Sequence, residues 1–391
     1  EADKLPHQTF RRIHGRGPPY GILSHTWSTY EIPFRAFYDR TIHKAYPVAS
    51  HKIYSTCDRA LEDEIDYVWI DSCCIDKSSS AELSEAINSM YAWYASAKTC
   101  YAYLEGFALK EVEELTAGLA ICRWFTRGWT LQELIAPREV KFYDRHWAYF
   151  GTRMVLSTFL SRITTIPEEV LVGNKTVDPY CVAQKMSWTS MRGTTRGEDL
   201  AYCLFGLFEI NAPLLYGEGS IRAFKRLQEE IITKTNDLSL FAWQDNDMEG
   251  FVGVLAPSPS CYFGMVDVSP RGLLRRNPEF AVTNKGLRIS TRLARPLDVA
   301  IGRTDVVFMP LNCTPDRSLG SESSLGISLL DEDGIFFRVQ GRRYFAPMQE
   351  LVRTGDVVWT EELIYIAINL RDYLNLENET MGVAGSTLYV Q

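Results

Sequence analysis

Four short apolar runs, at residues 20–25, 67–71, 99–104 and 140–143, are separated in the first 150 residues by segments with helical spacing. That alternation constrains the fold more than any other feature of the chain. Residues 29–61 read as loop and helix, and 82–97 place Leu83, Ile87, Met90 and Tyr94 on one helical stripe. Residues 124–135 read as a further helix stopped by Pro137. A strand-helix-strand order repeated in this way predicts a parallel sheet with helices on its faces.

From about residue 180 the pattern becomes helical. Thr195 and Glu198 have capping-box spacing ahead of a helix expected over 199–208. Pro213 and Gly217-Glu218-Gly219 mark a turn before an amphipathic helix over 221–234, with Phe224, Leu227, Ile231 and Ile232 on its apolar side. After Trp243 the signals are those of strands and turns, at 281–283, 287–293, 306–311, 335–339 and 364–370, with the turn Asn284-Lys285-Gly286 between the first two. The expected division is an α/β domain over 1–165, a helical subdomain over 166–245 and a β-rich C-terminal domain over 246–391.

Composition narrows the function classes. A chain of 391 residues with 46% hydrophobic content supports two or three packed domains. Its net charge of −8 argues against nucleic acid or an anionic membrane as the main partner. No run of about 18 apolar residues exists to span a bilayer. The nine cysteines are scattered through apolar runs, a pattern that suits a reducing compartment such as the cytoplasm. Without a CxxC pair or HExxH string, and with six histidines, no metal site is expected.

Three strings carry chemistry: Leu23-Ser24-His25-Thr26-Trp27, Asp71-Ser72-Cys73-Cys74-Ile75-Asp76, and Arg127-Gly128-Trp129 leading to Glu133. In an open parallel sheet, ligands bind outside the carboxyl ends of the strands. Ser24, His25, Asp71 and Ser72 fall at such ends, and Trp129 and Glu133, four apart, share a helix face. One sheet edge is thus expected to collect Ser24, His25, Asp71, Asp76, Arg127, Trp129 and Glu133, with Trp27, Ser72 and Cys73 in the same strings. Each residue also has a plainer reading. His25 can bond a carbonyl, Glu133 can be a solvated surface residue, Trp129 can be core, and Asp71 can cap a turn. Cys73 or Cys74 beside His25 has the elements of a cysteine hydrolase, but their apolar neighbours favour two buried thiols.

At these strings the chain resembles the fungal heterokaryon-incompatibility (HET) domain proteins. The resemblance runs through Ser24 to Trp27, Trp69 to Asp76 and Arg127 to Glu133, and continues through residues 194–208, 213–219, 224–232 and 239–243. It implies a role in cell death triggered by recognition of non-self. HET domains are in turn distantly similar to TIR domains, which implies a TIR-like, flavodoxin-like parallel sheet. In enzymatic TIR domains a tryptophan-x-x-x-glutamate helix between the third and fourth strands carries the glutamate that cleaves NAD, and Trp129 and Glu133 match it. Asp71 is similar to the acidic end of the second TIR strand, while Ser24-His25 stands where TIR domains usually show serine-phenylalanine or serine-tyrosine.

The resemblance therefore implies hydrolysis of NAD to nicotinamide and an ADP-ribose product, with Glu133 catalytic. Ser24, His25, Trp27, Asp71, Ser72, Cys73, Asp76, Arg127 and Trp129 would contact the substrate. NAD would be substrate and no cofactor would be resident. Self-association on activation is also implied. The rival expectation is a non-enzymatic death-signalling module that works by self-association and partner recruitment.

Overall fold

A computed structural model of the protein describes residues 17–28, 31–38, 47–109, 115–245, 247, 250–270, 274–297, 306–314, 325–340 and 352–369. The chain divides into two compact units, residues 1–179 with 188–227, and residues 180–187 with 228–391. The three-part division expected from sequence stays a proposal beside this one: its 166–245 stretch contributes to both units.

The first unit is built on a five-stranded sheet of β1 (Tyr20–His25), β2 (Tyr67–Trp69), β3 (Thr99–Leu104), β4 (Val140–Asp144) and β5 (Tyr149–Thr152). Their order is β2-β1-β3-β4-β5, and the first four are parallel. This is the α/β architecture expected, with the 2-1-3-4 order of doubly wound flavodoxin-like sheets. The sheet is mixed, because β5 returns antiparallel to β4. Buried Asp144 makes that return: its Oδ1 accepts from the backbone N–H of His146 and Ala148, and its Oδ2 from Leu109. Trp147 takes a positive φ of 58° in the same turn.

Helices α1 (Pro47–Glu62), α2 (Asp71–Cys74), α3 (Ser80–Ser96), α4 (Arg123–Thr126) and α5 (Thr130–Ile135) accompany the sheet. Successive side chains along β1 alternate between its faces. Leu23 joins a buried cluster with Ile53 and Ala60 of α1 and with Ile70, Tyr101 and Tyr103. Ser24 faces the other way.

Residues 124–135 are two helices, where one was expected. The Gly128 N–H donates to the Gly193 carbonyl at 2.9 Å and the Gly193 N–H to Thr126 at 2.7 Å, so a strand-like bridge interrupts the helix at Arg127. A side chain at Gly128 would place its Cβ 2.7 Å from Thr194 Cγ2. The helix expected over 199–208 is likewise a turn at Asp199–Tyr202 and a 3₁₀ turn at Gly206–Phe208. No capping box forms there, because the Glu198 carboxylate accepts instead from the N–H groups of Gly217 and Gly219. Helix α6 (Ser220–Lys234) is amphipathic as expected, with Phe224, Leu227, Ile231 and Ile232 buried.

The second unit is β-rich. Strands β6 (Gly250–Val252), β7 (Phe280–Thr283), β8 (Gly286–Pro296), β9 (Val306–Pro310), β10 (Gly326–Glu332), β11 (Ile335–Gln340) and β12 (Val357–Ile366) form one sheet. Its path β9-β10-β11-β12-β8 closes on itself through the pair Phe308–Ala294, giving a barrel. Ala294, Val306, Phe308, Leu330, Val339 and Val357 cluster in its core. Pairing is antiparallel except between β11 and β12, which meet in parallel at Phe336 and Ile366. The strand expected over 364–370 is the end of β12, and Leu370 lies outside the described residues.

Candidate functional site

The carboxyl end of β1 separates two polar clusters, because Ser24 and His25 are neighbours on opposite faces. On the Ser24 face, its hydroxyl donates to Glu133 Oε2 at 2.5 Å and accepts from the Trp124 indole at 2.8 Å. The chain Trp124–Ser24–Glu133 is buried throughout, with Glu133 only 8% exposed. Burial pushes the Glu133 carboxyl up to about 8, against the opposing hydrogen bond from Ser24, and the charge of Asp71 adds to the rise. The Tyr94 hydroxyl lies beside it and donates to the Leu23 carbonyl at 2.9 Å.

On the other face, His25 Nε2 meets Asp71 Oδ1 at 3.0 Å, and the Trp27 indole donates to Asp71 Oδ2 at 2.7 Å. Lys52 Nζ lies 3.2 Å from His25 Nδ1 and 2.7 Å from Glu31 Oε1. Burial opposes ionisation of Asp71, yet His25, Lys77 and Trp27 outweigh it and hold the carboxyl below its ordinary value. Glu31 is lowered in the same way against burial, by His25 and Lys52.

A cleft of about 550 Å³ opens on this second face, between the loop after β1 and the loop after β2. Trp27, Ser72, Asp76 and Lys77 line it, and Trp27 is 41% exposed. Glu133 is not among its lining residues. Asp76 accepts from the Ser78 N–H and hydroxyl, which hold its carboxyl low and fix the loop.

The structure thus brings Ser24 to Glu133, and His25 and Trp27 to Asp71. It takes Arg127 and Trp129 elsewhere: Arg127 Nη2 donates to Thr195 Oγ1 at 3.1 Å, and the Trp129 indole to Asp199 Oδ2 at 3.3 Å. Trp129 is the N-cap of α5 and has helical backbone angles, so the four-residue spacing to Glu133 is kept while its indole is held by Asp199. Cys73 is buried, and its hydrogen bond with Cys74 together with burial pushes its thiol well above the ordinary value. That favours a packed thiol over a nucleophile.

Trp124, Tyr94, Lys52 and Glu31 are the participants that sequence reasoning missed. Trp124 had a signal, since it sits nine residues ahead of Glu133 in the same apolar string. Lys52 had none: a single lysine in an amphipathic helix reads as solvated, and here it is 3% exposed. Buried Arg192 was also missed, and its Nη1 donates to the Arg127 carbonyl and to Thr130 Oγ1, both at 2.9 Å, at the start of α5. Among the described residues no group of three or more histidine, cysteine or acidic side chains is placed to hold a metal ion, and no helix is long and apolar enough to cross a membrane.

Within this α/β unit the chain carries a heterokaryon incompatibility domain match: residues 20–115 match the family described as heterokaryon incompatibility protein (HET). The chain is homologous to vegetative incompatibility protein HET-E-1 of Podospora anserina, with 44% identity over 225 residues. That stretch is 56% of this chain and 16% of the relative. Residues 222–257 match a domain of unknown function, DUF8212. No solved structure matches the chain. The HET match ends before α5, so Glu133 lies beyond it.

Proposed function

We propose that the HET domain is a cell-death effector of non-self recognition that hydrolyses NAD at its nicotinamide–ribose bond. The observation that carries this reading is the buried Trp124–Ser24–Glu133 chain at the carboxyl end of a parallel strand. Nicotinamide leaves as a neutral molecule, taking the electron pair of the C1′–N bond, so no general acid is required. Positive charge builds on the ribose, and a carboxylate aimed at it stabilises the oxocarbenium-like state. Water then adds at C1′ and a proton goes to solvent, giving ADP-ribose. A cationic pyridinium beside Glu133 draws the buried acid towards its ionised form. The nine free thiols suit action in a reducing cytoplasm.

Nicotinamide release by wild-type protein and Glu133→Gln, over a range of protein concentrations, tests the reading. Release that depends on Glu133 is expected, and equal release by the two proteins would overturn it. One observation favours a second reading, a non-enzymatic module acting by self-association: Glu133 is buried and absent from the cleft lining. That reading expects Glu133→Gln to retain full death signalling in cells and no NAD consumption by either protein.

A further inference from the structure

Two cations line the cleft, and each acts on a carboxylate only at a distance, Lys77 on Asp71 and Arg35 on Asp76. Among the described residues, neither Arg35 nor Lys77 makes an ion pair, whereas nearby Lys52 is matched to Glu31 at 2.7 Å. Arg35 Nη2 donates to the neutral Ser78 hydroxyl at 2.9 Å. Lys77 rests its ammonium on the Trp27 indole, 3.2 Å from the ring centroid.

The two carboxylates that line the cleft are already engaged. Glu31 holds Lys52, and Asp76 is tied to the Ser78 N–H and hydroxyl. Both oxygens of adjacent Asp71 are taken by His25 and Trp27. The cations are therefore the charged groups of the lining that make no direct contact with an opposite charge. They stand beside a flat aromatic face and the apolar wall of Phe34. A volume of about 550 Å³ accommodates a small organic ligand.

We propose that this cleft binds a nucleotide, with its phosphate oxygens on Arg35 and Lys77 and its ring on the Trp27 face that Lys77 now covers. Lys77 is an internal occupant of the stacking site. On binding, it exchanges a cation–π contact for a charge-assisted contact to phosphate and uncovers the indole. The Asp71–Trp27 hydrogen bond keeps that indole oriented throughout. The inference deepens the proposed activity and rests on it, by naming the phosphate-bearing portion of the substrate and where it is held.

Equilibrium titration by calorimetry on the Glu133→Gln protein, with ADP-ribose, AMP and adenosine as probes, separates binding from turnover. ADP-ribose and AMP are expected to bind, with adenosine at least about tenfold weaker. Arg35→Gln and Lys77→Gln should each weaken ADP-ribose by about tenfold or more and leave adenosine unchanged, while Lys77→Arg restores most of the affinity. Arg35 is exposed, so loss of folding does not confound its variant. The proposal is overturned if ADP-ribose fails to bind, or if it binds the Arg35 and Lys77 variants as tightly as the parent. Glu133-dependent nicotinamide release with no effect of Arg35 or Lys77 on binding would keep the activity and remove this cleft. Phosphate-dependent binding without release by the wild type would keep the cleft and remove the activity.

Discussion

The two faces of β1 put one carboxylate each into opposite situations, although Ser24 and His25 are consecutive residues. Glu133 accepts from the Ser24 hydroxyl, itself held by the Trp124 indole, and burial favours its protonated form over the opposing Ser24 hydrogen bond and the weaker pull of the Arg192 charge. Asp71 is met by the His25 imidazole, an indole N–H and the field of Lys77, and favours its charged form. What sets the outcome is whether hydrogen bonds and nearby charge outweigh burial, as they do at Asp71 and do not at Glu133. The sheet therefore separates a neutral, occluded acid from a charged, cleft-side one.

The largest expected effect breaks the comparison by activity. Glu133→Gln should lower nicotinamide release by about a thousandfold or more, as loss of a transition-state electrostatic partner does. Asp71→Asn should cost less and act chiefly on KM, since Asp71 orients Trp27 and His25 at the cleft. Steady-state kinetics of the two variants decide it, and equal losses of kcat would erase the distinction between the faces.

Next in size is stability against pH, where the two acids should have opposite signs. The Glu133 carboxyl is raised in the folded state, so the unfolded chain releases its proton first. Its burial therefore costs nothing below the ordinary value of 4.5, and the penalty grows until pH passes about 8. Glu133→Gln should raise stability above that pH, by up to on the order of 5 kcal/mol, and the gain should vanish towards pH 4. Asp71 is lowered, so its contribution is present above its ordinary value of 3.8 and lost as pH falls through the folded value. Asp71→Asn should destabilise at neutral pH and converge with wild type in acid. Thermal unfolding of the three proteins across pH measures both slopes.

Ser24→Ala sharpens the same contrast on a smaller scale. It removes the donor to Glu133 and leaves the buried Trp124 N–H without its acceptor. About 1–3 kcal/mol of stability should be lost. Because the Ser24 hydrogen bond opposes the rise at Glu133, its removal should move the alkaline-favouring limb of kcat/KM to higher pH. An unmoved profile would show that Glu133 does not govern that limb.

Much of this arrangement was legible in sequence, because parallel strands announce themselves as apolar runs and their ends as abrupt polar residues. Ser24, His25 and Asp71 were found that way. Placing residues at a strand end does not say which face each one takes; the alternation of β1 puts Ser24 with Glu133 and His25 with Asp71. The local spacing of 124–135 is helical throughout, so the interruption at Gly128 leaves no mark in it. The break there depends on Gly193, 65 residues downstream, and no local pattern reports a pairing of that range. Strand β10 was missed for a related reason: Ser328 is fully buried among apolar neighbours, so the run lacks the clean alternation by which a half-exposed strand is recognised.

The smallest effect tests the cleft side alone. Trp27→Phe keeps an aromatic ring under Lys77 but deletes the N–H that reaches Asp71 Oδ2. Trp27 is partly exposed, so water can replace the lost donor, and the stability cost at neutral pH should be below about 1 kcal/mol. The Trp27 bond is one of the influences that hold Asp71 low, so its removal should bring the folded carboxyl nearer its ordinary value. The acid limb of the stability curve should then begin at slightly higher pH, while the alkaline limb that belongs to Glu133 stays where it is. The Asp71 charge that raises Glu133 is present on that limb with or without Trp27, so movement of both limbs in Trp27→Phe would mean that the substitution displaces β1 and reaches the Ser24 face by packing.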